Sequence, residues 1–247
     1  MKRLFIFSIF MLSVGCLQAQ MSVGTFSLIP RIGVNVANIG NDHFNYSATP
    51  VNNELMREGK YRAGLAGGVD VQYQATDLLA VSVGAFFSRQ GCRFDDVVST
   101  KVEKNATMFD GMHNIHQTAD YLQVPLMAHF YVDRGFSINA GMQIGYLLNA
   151  KFSYESTQYT ETVDAKTKKV LRQYAVVDGQ TIKDYETQFD VRSMFRKADV
   201  SLSMGASYEY MNVVLDARYC MGLLRTGDWS EGKNKVFQCT VGYKFAL

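Results

Sequence analysis

Proline is almost missing from this chain, with three in 247 residues. Few positions therefore lack a backbone donor, and long hydrogen-bonded ladders meet little interruption. Cysteine is scarce too: Cys16, Cys92, Cys220 and Cys239. Once Cys16 is removed with a leader, three remain, an odd set whose spacing suits neither a metal site nor a disulfide framework. Cys92 and Cys220 fall near strand ends and would pair only if the fold brought them together. Charge of one sign is also lacking. A formal net charge of +2 points to no nucleic-acid partner and no acidic tail. Long apolar runs are missing after the N-terminus, and a mean hydropathy of -0.07 excludes a bundle of helical membrane spans. Aromatic residues, in contrast, reach 13% and favour strands.

The first twenty residues, MKRLFIFSIFMLSVGCLQAQ, combine a basic start at Lys2 and Arg3, an apolar stretch from Leu4 to Val14 and a cut after Ala19-Gln20. Residues 1–20 are expected to be a signal peptide and 21–247 one mature domain. A competing route is lipidation at Cys16: Gly15 suits it, Ser13 does not.

Beyond Gln20 the period is two, not 3.6. Leu28, Ile32, Val34 and Val36 oppose Arg31, Gly33 and Asn35; Ala63, Leu65, Val69, Val71 and Tyr73 oppose Arg62, Gly64, Asp70 and Gln72. Leu79–Phe87, Leu122–Phe130, Ile138–Leu148, Val200–Tyr208, Val213–Tyr219 and Phe237–Leu247 repeat the device, which predicts about eight strands. Pro125, inside the fourth, is expected to mark a bulge.

Connection lengths supply a second signal. Asn38–Lys60, Gly91–Gln117, Asn149–Ala198 and Cys220–Lys235 are long, while Ala75–Leu78, Asp133–Gly135 and Glu209–Asn212 are short. Strict alternation predicts an all-β, transmembrane antiparallel up-and-down β-barrel with long extracellular loops, short periplasmic turns and both termini in the periplasm. A soluble barrel with an apolar lumen would alternate in the same way. The polar parity decides for lipid outside, because it is built of Gly, Ser and Ala rather than the Lys and Glu of a wetted surface. Tyr73, Phe87, Tyr146, Tyr208, Tyr219 and Tyr243 fall where interfacial girdles are expected.

Three elements carry a resemblance: Tyr121-Leu122-Gln123-Val124-Pro125-Leu126, Gly141-x-Gln143-x-Gly145-Tyr146-Leu147-Leu148, and Asp216-Ala217-Arg218-Tyr219-x-x-Gly222-Leu223. Over Ser27–Phe245 the chain resembles the PorT-like outer-membrane β-barrel family of the Bacteroidota. The resemblance implies a bacterial outer-membrane barrel and, through the family's namesake, a link to secretion and surface attachment that no residue here carries across. The terminal Phe237, Val241, Tyr243 and Phe245 resemble the signal read by the barrel-assembly machinery, with Leu247 departing from the usual aromatic end.

Candidate chemistry is sparse. His113-x-x-His116 has metal-ligand spacing, but nothing completes a site, and both are expected to be loop histidines. His129, on a polar strand face, would need Ser82, Ser201 or Asp199 at hydrogen-bond range to perform acyl transfer. Arg62, Asp70, Asp199, Asp216 and Arg218 are expected to form a lumenal polar network, since buried charge must be paired. No catalytic, cofactor or metal site is assigned. The leading reading is a non-enzymatic scaffold or binding protein of the envelope; a lipid- or lipopolysaccharide-modifying enzyme and a narrow ion channel are the alternatives. The expected partners are outer-membrane lipid and lipopolysaccharide, the assembly machinery, and an envelope protein engaging the 149–198 loop.

Overall fold

The computed structural model describes residues 23–40, 43–47, 54–103, 106–133, 135–164, 169–227 and 231–247. The expected signal peptide and Cys16 lie outside the described residues. In chain order the strands are β1 (Phe26–Gly40), β2 (His43–Ser47), β3 (Glu54–Glu58), β4 (Arg62–Gln74), β5 (Leu79–Arg93), β6 (Val97–Glu103), β7 (Ala106–Asp133) and β8 (Phe136–Val163). There follow β9 (Val170–Tyr174), β10 (Val176–Val177), β11 (Gln180–Thr181), β12 (Tyr185–Asp190), β13 (Ala198–Tyr210), β14 (Val213–Gly222), β15 (Lys233–Tyr243) and β16 (Phe245–Ala246).

Eight of them close a ring. β1 pairs with β4, β4 with β5, β5 with β7, β7 with β8, β8 with β13, β13 with β14, β14 with β15, and β15 returns to β1, all antiparallel. Closure leaves the ring no unpaired edge, the condition for a sheet to cross hydrocarbon. The alternation in sequence becomes inside against outside. Ile32, Leu65, Ile144 and Met204 are 61–68% exposed on the outer face, whereas the lumenal Asn35, Asp70, Asn139, Asp216 and Arg218 are at most 3% exposed. This is a soluble protein turned inside out, as lipid contact requires. Among the described residues, no helix is long and apolar enough to cross a membrane.

The proline expectation changes. Pro125 is not a bulge: the β5–β7 pairing stops between Val83↔Leu126 and Phe86↔Gln123 and resumes in the same register. Pro30 does the same to the ladder between β1 and the C-terminal strands, which skips from Arg31↔Gly242 to Leu28↔Phe245. Each ring removes one donor, and the ladder forgoes the local bonds without slipping. The true shifts in β7 fall at His113/His116, Asp120/Tyr121 and Tyr131/Asp133.

The long connections are corrected more heavily. Gly91–Gln117 and Asn149–Ala198 are not simple loops, because β7 and β8 run 28 residues each and stay paired from Asp133↔Phe136 to Ala106↔Thr162. β5 accompanies β7 only as far as His116, and β13 accompanies β8 only as far as Tyr146. Beyond the ring, β6 covers one edge of this hairpin, while β12 and β9 share the other. Beyond His116↔Ser153 the hairpin continues for ten residues on each strand, which at roughly 3.3 Å each carries this sheet about 30 Å further. Within the Asn149–Ala198 connection, β9 and β12 pair alongside β8.

Small residues make room for large lumenal ones. A Cβ at Gly84 would collide with the Asp70 carboxylate and lie 2.6 Å from the Val69 carbonyl. Replacing it with valine adds two further carbons and is expected to cost about 1–3 kcal/mol by overpacking. Gly84→Val should lower the urea midpoint of the heat-modifiable folded band on a cold gel. Val83→Ile, on the outer face, should leave it in place; equal midpoints for all three proteins would refute the packing.

Candidate functional site

The lumen is filled in layers, and the layer nearest the turns is ionic. Arg31 Nε lies 2.8 Å from Asp70 Oδ2, and its Nη1 lies 3.5 Å from Asp216 Oδ2. Arg218 Nε donates to Asp216 Oδ1 at 2.7 Å. Two cations and two anions thus neutralise one another, with every side chain at most 2% exposed. The Arg31–Asp70 contact is short but off the hydrogen-bond line, so it is held by charge more than by direction.

Asp216 orders the neutral groups beside it. A carboxylate accepts only, so Asn139 turns its Nδ2 toward Asp216 Oδ2 (3.2 Å) and also donates to Ser207 Oγ (3.0 Å). Its Oδ1 then faces His129 Nδ1 at 2.9 Å, which must carry the ring proton. In the neutral ring Nε2 is left to accept from the Ser82 hydroxyl at 2.8 Å. Hydroxyl, imidazole and amide stand in the order of an acyl-transfer relay. Ser82 and His129, however, are each 2% exposed inside the barrel, and Asn139 continues into the ionic quartet. The arrangement locks five strands together and offers an external substrate no approach.

The five expected residues do not form one network. Asp70, Asp216 and Arg218 meet, but through Arg31, which the alternation had already placed on the polar face. Asp199 stands apart toward the loop end, accepting from Ser201 (2.8 Å) and Asn234 (3.1 Å), so neither it nor Ser201 reaches His129. Arg62 donates to Thr118 at 2.8 Å, beside the bidentate Arg89–Asp120 pair. Between these layers Gln238 donates to Asn35 and Asn35 to Ser88. Strand parity shows which face a residue takes, not its height, and height separates these groups.

At the loop end the lumen turns apolar. Ile39, Cys92, Phe94, Val97, Ile115, Tyr121, Leu147 and Phe195 form a buried cluster across its mouth. Cys92, in this cap, and Cys220, which packs with Ala37 and Val236, are not joined in a disulfide, and the Cys92 thiol donates to Gln117 Oε1 at 3.8 Å.

Above the cap, the projecting sheet carries a row of aromatics. Thr100, Phe109, Tyr159 and Tyr174 are successive cross-strand partners. Phe109 and Tyr159 stack at 4.7 Å, and Arg172 lies 4.3 Å above Tyr159 while holding Glu161. That bond to Glu161 raises the Arg172 pKa above the ordinary arginine value. His113 and His116 are on β7, not in a loop; His113 Nε2 faces Glu155 (3.1 Å) and Asp184 (3.3 Å). Among the described residues no group of three or more His, Cys, Asp and Glu could hold a metal ion. Phe237, Val241, Tyr243 and Phe245 point outward, each 43–49% exposed.

Removing one member of the quartet leaves a buried charge, a loss of about 3–5 kcal/mol, whereas an apolar replacement of a whole pair is often neutral. Arg31→Met should therefore unfold in urea well before the wild type, and Arg31→Met/Asp70→Leu should recover much of the difference. Additive losses in the double variant would show that the two residues are not coupled.

A family model described as outer membrane protein beta-barrel domain matches residues 18–226. No curated protein matches the chain. Among solved structures, the attachment invasion locus protein Ail of Yersinia pestis is 14% identical with a TM-score of 0.43, covering 91% of this chain and 100% of that one. The same protein in complex with the heparin analogue sucrose octasulfate gives 11% and 0.41, covering 90% and 100%. The translocator domain of the autotransporter NalP from Neisseria meningitidis gives 10% and 0.28, covering 99% and 94%.

Proposed function

Because the chain belongs to the outer membrane protein beta-barrel domain family, we propose that its barrel is an anchor and its projecting sheet a platform that binds a protein at the cell surface. One observation carries the reading. Val98, Val102, Val170 and Leu171 are 59–76% exposed on a sheet that lies past the ring, beyond the reach of lipid, and Val176 and Val177 are 63% and 52% exposed on the separate β10–β11 hairpin that follows β9. Exposed apolar groups on a rigid extramembrane sheet suit a partner surface. The ring below contributes no binding cavity of its own, since its lumen is filled by the polar layers and closed by the apolar cap.

In this reading the projecting sheet faces outward from the cell, and the short turns and both termini face the periplasm. β15 and β16 present Phe237, Val241, Tyr243 and Phe245 to the assembly machinery during insertion. The Tyr121–Leu126 and Gly141–Leu148 elements support a PorT-like kinship within the family and, with it, a place in a secretion or surface assembly. The partner is an envelope or external protein, engaged by the 94–115 and 149–198 segments together.

Photo-crosslinking residues placed at Val98, Val102 and Val170 in living cells should each trap a protein adduct, and a maleimide should label Lys101→Cys without permeabilisation. Labelling with no adduct at any position would sink the binding claim; labelling only after permeabilisation would sink the orientation. Purified protein in planar bilayers should show conductance near zero, and a steady open level would overturn the filled lumen.

A further inference from the structure

On the outer face of β13, β14 and β15 the chemistry changes abruptly at the loop rim. Toward the turns this face carries Tyr208, Tyr210, Val213, Leu215, Val241 and Tyr243, all exposed, while Glu209 and Lys244 at that end pair at 2.8 Å on the lumenal side, with the Lys244 side chain 3% exposed. Through the middle it is apolar, with Met204, Tyr219 and Phe237 in one row and Ala206, Ala217 and Cys239 in the next. At the rim it becomes cationic. Lys235 is level with Met221, which is level with Leu202, and Lys233 is level with Gly40 of β1. Arg225 follows β14, and Arg196 enters β13 with its N–H bonded to the Thr226 carbonyl at 2.7 Å.

The arc is seated. A Cβ at Gly40 would lie 2.6 Å from Lys235 Cε, so the glycine gives the lysine stem a place to lie along the wall. Lys233 and Lys235 have no carboxylate partner among the described residues. Among the described residues Arg225 meets the exposed Glu231, at 3.3 Å. Over 225–235 the sequence holds three cations, Arg225, Lys233 and Lys235, against two anions, Asp228 and Glu231.

We infer that Arg196, Arg225, Lys233 and Lys235 bind the phosphate groups of a glycolipid in the leaflet at the loop end. Its acyl chains would run from Leu202 and Met221, level with Lys235, down over Met204 and Ala206. A phosphomonoester at that height meets charge-assisted donors at the edge of a low-dielectric slab, where such bonds are stronger than in open water. A free phosphate would gain only the cations; a lipid also gains the aliphatic wall directly beneath them. The inference rests on the outer-membrane reading above, and it adds a ligand class that the projecting sheet does not address.

Native mass spectrometry of the full chain in detergent, titrated with a diphosphorylated glucosamine lipid A and with the same lipid after phosphatase treatment, tests it. The phosphorylated lipid should be retained at least tenfold better. Arg225→Gln/Lys233→Gln/Lys235→Gln should lose that preference, while Arg93→Gln/Lys151→Gln, elsewhere on the rim, should keep it. Should the triple variant lack a heat-modifiable folded band, Lys233→Gln alone gives the same comparison with a smaller loss. Equal retention of both lipids, or an unchanged preference in the triple variant, overturns the site; full competition by an equal concentration of inorganic phosphate reassigns it to the free ion. The assay uses purified protein, so it fails or succeeds independently of the labelling that tests which way the barrel faces.

Discussion

Two guanidiniums and two carboxylates share a space the width of eight strands, and their mutual neutrality is the constraint on which the barrel's interior depends. Hydrocarbon outside drives polar side chains inward, and a ring this narrow is filled by them rather than by water. Any ion placed there must meet its opposite within a few ångströms. Arg31, Asp70, Asp216 and Arg218 come from three strands, and they meet only when β1 lies between β4 and β15, the arrangement that closes the ring. Asp216 extends the order outward by fixing the Asn139 amide, which fixes the His129 proton, which fixes the Ser82 hydroxyl. The same ions require empty positions beside them, and Gly84 and Gly242 provide these against Asp70 and Arg31.

Much of this was written in the period-two pattern. All eight ring strands, their inward and outward faces and the rhythm of short and long connections were legible, because a one-residue slip would place every apolar side chain in the lumen. Which polar residues meet was not legible. Alternation puts Arg62, Asp70, Asp199, Asp216 and Arg218 on one surface, but strand stagger sets their heights, and a single sequence does not state the stagger. Arg31 could have been added on balance of charge alone, since two acids beside one Arg218 leave an anion unmatched. The reach of β7 and β8 escaped for a different reason. Past the rim both faces of a sheet are wet, so the Thr, Ser, Glu and Gln of 153–162 lose the alternation that lipid imposes and resemble a loop.

That loss of alternation bears on function. Within the ring, an exposed valine or leucine is explained by lipid, and a buried histidine by the need to satisfy polar neighbours. Neither explanation extends to Val98, Val102 or Val170, which sit past the ring on β6 and β9, the strands that edge the β7–β8 hairpin. Nor does either extend to the aromatic row beneath Arg172, whose stacking stiffens the sheet without enclosing a core. In the proposed reading the contribution of the filled, capped barrel is position: it holds a strand platform and a cationic rim beside one leaflet. The chemistry open to the surroundings therefore lies on the outer wall and the projecting sheet, and the lumen's polar residues serve to hold that geometry.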